Sequence, residues 1–194
     1  MKTGKFLRRN KKGALAAEYV ATLYLLLMFI VFPMLNYATV GMRAFFLWFA
    51  CNQAVMTAAK CRTFFTPVTI GGILYPGAYT VAQSRAWQIQ GVFPGIGWTM
   101  SATNPEVDIL VTQILGQPPS VPAPVPLTVG PTPLGLGNSP DQGSYTCSLK
   151  VTIIGWVQPL IPVPWFSSIP GLGSNMNLRV ISEQTFENPP GLQI

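Results

Sequence analysis

Residues 14–40 read ALAAEYVATLYLLLMFIVFPMLNYATV, and these 27 residues carry a single charge, Glu18. As a helix rising 1.5 Å per residue they would span about 40 Å, more than the roughly 30 Å hydrocarbon core of a bilayer. The stretch is therefore expected to cross a membrane, with some tilt. Directly before it stand Lys2, Lys5, Arg8, Arg9, Lys11 and Lys12, whereas Arg43 is the first charge after it. An excess of basic residues on one flank places the N-terminus in the cytoplasm and the rest of the chain outside. Pro33 has no backbone N–H and its ring crowds the preceding turn, so a bend is expected there. A cleavable secretory signal would have a shorter apolar run, about 7 to 15 residues, with small residues after it. Here Gly13, Ala14, Ala16 and Ala17 stand at the start of the run, on the cytoplasmic side.

The whole chain has 194 residues, which is enough for one small domain besides the anchor. Charged residues make up 9% of it, against roughly 25% in ordinary globular proteins, while 19 prolines and 18 glycines indicate a loop-rich body. The formal charge of +6 looks at first like a signal for nucleic acid. Half of the 12 basic residues lie before Ala14, however, and from there onward basic and acidic residues balance. A phosphate-binding face needs basic residues spread over a folded surface, so no nucleic-acid partner is expected. Catalysis is not expected either. The chain has no histidine, which removes Ser-His-Asp and Cys-His arrangements and histidine metal sites. Gly95-Ile96-Gly97 lacks the spacing and the Lys-Ser/Thr of a phosphate loop. Neither a metal nor a cofactor is expected.

The stretch Gly13-Ala14-Leu15-Ala16-Ala17-Glu18-Tyr19 follows a basic leader and opens the apolar helix. In this the chain resembles a type IV prepilin. The resemblance implies that a cytoplasm-facing prepilin peptidase cuts between Gly13 and Ala14, which makes Glu18 the fifth residue of the mature chain. The Glu18-Tyr19 pair resembles the tight-adherence (Tad) branch, and the chain length is similar to that of its TadE-like minor pseudopilins. The implied function is a structural or assembly subunit of a Tad-type pilus or related secretion apparatus in the bacterial inner membrane. Its implied partners are other pilin or pseudopilin subunits and the inner-membrane assembly platform. Glu18 would pair with the α-amino group of Ala14 on a neighbouring subunit and set the axial register. An intramembrane carboxylate is costly unless paired, which independently marks Glu18 for a functional contact. Ala14, Ala17 and Ala21 share one side of the helix, where small residues permit close helix packing in lipid. The alternative is an uncleaved signal-anchored envelope protein that binds a partner through its exported head.

The expected fold class is α+β, arranged as a leader over residues 1–13, a transmembrane helix over 14–40, a helical extension over 41–62 and a head over 63–194. The extension carries Ala50, Ala54 and Ala58 at spacing four and has no proline. In the head, a helix is expected over 78–90. A second is expected from Asn104 as N-cap to Gly116, because Val107, Leu110, Val111, Ile114 and Leu115 fit a helical stripe. Glu106 and Asp108 would then sit favourably in its first turn, which accounts for both without a catalytic carboxylate pair. Residues 117–143 are proline-rich and expected to be an extended loop.

Tyr145, Cys147, Leu149, Val151 and Ile153 alternate with polar residues and predict a half-buried strand. Leu178–Phe186 predicts a second strand, antiparallel to the first in a short sheet covered on one face by the long helix. Between them, the uncharged loop over 158–174 carries Trp165 and Phe166, candidates for contact with a neighbouring subunit or the outer leaflet. The other outcome is that this loop folds back on the head. The three cysteines follow the anchor, on the oxidising side. Cys51 and Cys61 would be about 15 Å apart on one helix, so a disulfide needs Cys147, with Cys61 the favoured partner. Three free thiols remain the other outcome.

Overall fold

The computed structural model describes residues 16–99, 101, 104–114, 127–128, 130, 132–134 and 143–193. The leader, the Gly13–Ala14 junction and most of the proline-rich segment lie outside these residues. The described chain is α+β: one long helix runs from the N-terminal side into a small head built on an antiparallel sheet.

Helix α1 covers Ala16–Ala58, 43 residues, and is therefore about 65 Å long. It is continuous through Pro33 because the helix accommodates the missing donor one turn earlier. Leu27–Val31 form a π turn, in which the Phe32 N–H donates to the Leu27 carbonyl five residues back. An added residue in the turn relieves the clash between a proline ring and the carbonyl four residues before it. None of residues 16–35 is buried. From Asn36 onward one side is enclosed, with Asn36, Val40, Leu47, Ala50, Cys51, Ala54, Val55 and Ala58 buried at helical spacing. α1 ends at Ala58, short of the expected 62, and the Glu187 N–H covers the carbonyl of Ala59 at 3.0 Å.

After α1 comes a hairpin of β1 (Val68–Ile70) and β2 (Ile73–Tyr75), which gives no alternating pattern long enough to stand out in the sequence. Gly71 and Gly72 turn it with φ of 60° and 79°, a conformation that glycine adopts without steric cost. Helix α2 (Ala78–Val92) matches the expected helix and packs on α1. It buries Ala78, Ala82 and Ala86, so small residues on both helices allow their backbones to approach closely.

Among the described residues the main sheet has five strands: β3 (Ile96–Gly97), β4 (Glu106–Gln113), β5 (Leu127–Thr128), β6 (Tyr145–Val157) and β7 (Met176–Thr185). β6 is its centre. β7 pairs antiparallel along one edge, from Ser148↔Thr185 to Val157↔Met176. β4 and β3 pair with β6 one after the other along its other edge, and β5 lies outside β4. Tyr145, Cys147, Leu149, Val151 and Ile153 on β6 are buried, as the period-two pattern predicted, Val157 is buried as well, and α1 packs against both β6 and β7. On the opposite face Asp108, Lys150 and Glu183 lie in register across β4, β6 and β7, with Lys150 bonded to Asp108 at 2.9 Å.

The helix expected over 104–116 is not formed. Glu106–Gln113 instead pair in full with β6, from Glu106↔Thr152 to Gln113↔Tyr145. Val107, Ile109 and Val111 alternate into the core, and these β-branched residues fit a pleated surface as well as the helical stripe they also match. Asn104, expected as an N-cap, joins the sheet through its side chain. Its Oδ1 accepts from the Ile154 N–H at 3.0 Å and its Nδ2 donates to the Ile154 and Thr99 carbonyls at 2.8 and 3.0 Å. The amide thus acts as a surrogate peptide group at the stretch of β6 between its β3 and β4 partners.

Candidate functional site

Two parts of the molecule carry features that composition alone would not require: the exposed first half of α1, and its junction with the head. In the first half, Ala17, Glu18, Tyr19 and Ala21 are all exposed, Tyr19 by 71%. Ala17 and Ala21, four residues apart, occupy one side of the helix, while Tyr24, Phe29, Ile30 and Met34 add large apolar exposed surface. An apolar surface with this extent has to be covered by lipid or by other helices. The Thr22 hydroxyl donates to the Glu18 carbonyl at 2.8 Å, so the Thr22 hydroxyl is satisfied within the helix.

At the junction, the segment 158–174 folds back along α1. Arg43 Nη1 donates to the carbonyls of Gln158 and Pro159 at 2.6 and 3.1 Å. Seven residues earlier Asn36, only 1% exposed, makes paired bonds to the loop. Its Nδ2 donates to the Ile161 carbonyl at 2.7 Å and its Oδ1 accepts from the Ile161 N–H at 2.9 Å. Val163 and Leu172 are buried inside the fold-back. The loop therefore folds back on the head and on α1. Phe166 lies edge-on to Phe29 of α1, with ring centroids 6.4 Å apart, whereas Trp165 stands 69% exposed.

The cysteines depart from the favoured disulfide: Cys51, Cys61 and Cys147 are all unbridged. Cys61 turns its thiol back onto the Thr57 carbonyl at 3.7 Å, while Cys147 is buried on β6, so the two sulfurs do not meet. Cys51 lies beyond residues 14–40, the stretch expected to cross a membrane, in the half of α1 that the head encloses, and donates to the Val151 carbonyl at 3.1 Å. Burial pushes its thiol up to about 12. Burial also raises Cys61 and Cys147. Shifts in this direction favour the neutral thiol and make attack by a thiolate harder.

Shallow depressions lined by described residues lie on the head. One, of about 320 Å³, is lined by Gln158, Pro159, Leu160, Pro162, Gly173 and Asn175, none of them ionisable. Another, of about 410 Å³, includes Cys147 and Glu187. Among the described residues, no group of three His, Cys, Asp or Glu side chains is placed to hold a metal ion.

Asn36 and Asn104 are the contacts that reading the sequence missed. An asparagine in the middle of an apolar run was the available signal for Asn36, because such a side chain needs a partner wherever it is buried. The Gly71-Gly72 pair between apolar triplets was the signal for the hairpin. Compared with protein-family models, with curated proteins and with solved structures, the chain matches none.

Proposed function

We propose that this chain is a TadE-like minor pseudopilin, a single-pass subunit that helps assemble a Tad-type pilus or secretion fibre at the bacterial inner membrane. The observation that carries this reading is the division of α1. One unbroken helix offers a wholly unburied apolar half beginning beside Glu18, and its other half is the spine of a small head. A subunit of this shape can pack laterally through its first half while its head stays outside the bilayer. The basic leader and the Gly13-to-Tyr19 motif support the same assignment.

In this proposal the prepilin peptidase frees the α-amino group of Ala14, which pairs with Glu18 of a neighbouring subunit. In low dielectric that charge pair favours one axial register over its neighbours. Ala17 and Ala21 allow the two helices to approach closely enough for it to form. The function is assembly through helix packing, with no reaction catalysed by the chain.

Mass spectrometry of the N-terminus in the native host tests this directly. The natural chain should begin at Ala14, and Gly13→Leu should retain residues 1–13. Retention in both would leave the uncleaved signal-anchored envelope protein. The exposed Ile73 and Leu74 on the β1–β2 hairpin favour that second reading, since they give the head an apolar contact point.

A further inference from the structure

We infer that the loop over 158–174 is a second membrane contact, a lipid-immersed collar seated against α1 on the head's side of the bilayer. This rests on the proposal that α1 crosses the membrane. Glu18 and Arg43 bracket a charge-free length of α1 of about 37 Å at 1.5 Å per residue, close to a hydrocarbon core plus its boundaries. Arg43 therefore marks the headgroup level on the head's side, where it holds the start of the loop. From there the loop runs back towards the N-terminal end of α1, past Asn36 to Phe29. Phe29 lies about 21 Å along the helix from Arg43, so the loop's tip lies inside the bilayer if the helix does.

The loop has the chemistry for that position. There is no charged residue between Lys150 and Arg179. Leu160, Ile161, Trp165 and Ile169 are exposed, as are Ile30, Met34 and Tyr37 on α1.

Part of the main cost of entering lipid, which is unpaired peptide groups, is met within the loop. Pro159, Pro162, Pro164 and Pro170 have no N–H to satisfy. Val163, Phe166, Ile169, Gly171 and Leu172 donate theirs to carbonyls within the loop. Ile161 and Asn36 satisfy each other, which also supplies the partner that an asparagine at this depth requires.

The test is tryptophan quenching of the full chain in nanodiscs of phosphatidylethanolamine and phosphatidylglycerol, with one copy per disc. The emission of Trp165 is taken as the natural chain minus Trp165→Phe, a change at an exposed position that the fold tolerates. Lipids brominated on the acyl chains should remove most of that difference, as expected of a ring in contact with acyl chains. Aqueous iodide should leave it unchanged while quenching the half-exposed Trp87 of α2. Quenching by iodide with no response to brominated lipid overturns the inference. Protection from both, appearing only in discs with two copies, overturns it in favour of a subunit contact. Carbonate extraction of the chain from vesicles separates the two levels. A chain that is extracted defeats the membrane-spanning proposal and the collar together, whereas a resistant chain with a lipid-insensitive Trp165 defeats the collar alone.

Discussion

The two halves of α1 are both mainly apolar, yet they face different surroundings and differ in the size of what they present. Before Asn36 the helix displays Tyr19, Leu23, Tyr24, Leu25, Phe29 and Met34, all exposed. After it, the enclosed side is dominated by Ala50, Cys51, Ala54, Val55 and Ala58, with Leu47 the one large side chain. Large residues suit a surface covered by mobile acyl chains, and small ones suit a helix that must come close to a sheet and a second helix. Hydrophobicity alone does not separate these situations; residue volume and spacing do.

The largest difference between the halves is expected from truncating a leucine in each. Leu47→Ala empties a fully buried position and should destabilise the head by about 2 to 5 kcal/mol. Leu25→Ala, on the unburied half, should alter head unfolding by less than about 0.5 kcal/mol. Urea unfolding in detergent, followed by circular dichroism, reads both, and equal losses would erase the distinction.

A smaller effect is expected where the halves meet. Asn36→Ala leaves the Ile161 peptide without its partner at a buried point and should cost about 1 to 3 kcal/mol. Hydrogen exchange should accelerate at Ile161 and through the loop to Leu172, with the β6 amides unaffected. Acceleration spread evenly over the sheet would mean that Asn36 holds the whole head and not the loop.

The smallest effect near neutral pH comes from Cys51. Its folded-state pKa of about 12 lies above the ordinary thiol value of 9.0, so the unfolded chain releases this proton first. Stability attributable to it is therefore constant below about pH 9 and falls as pH rises from there towards 12. Cys51→Ala should flatten that alkaline decline relative to the natural chain in unfolding curves taken across this range. An unchanged slope would assign the decline to other groups.

The long apolar helix and the inward face of β6 could be read from the chain, as could the expectation for the helix's direction, because each rests on a signal contained in a short run. One charge in 27 residues, a basic cluster on one flank and a strict alternation from Tyr145 to Ile153 need no distant partner to be interpreted. The Gly13-to-Tyr19 motif is equally local, although what it implies about assembly rests on resemblance. The conformation of Glu106–Gln113 was a different matter. Val107, Ile109, Leu110 and Val111 satisfy a helical and an alternating pattern at once, and the unpaired edge of β6 decided between them. The tertiary structure also decided where the head begins to enclose α1. Asn36 is buried because the chain returns to it 125 residues later, and no local pattern announces a contact at that separation. Likewise, Cys61 lies just past the end of α1 with its thiol on the Thr57 carbonyl while Cys147 is buried on β6, an arrangement that spacing along the sequence does not specify.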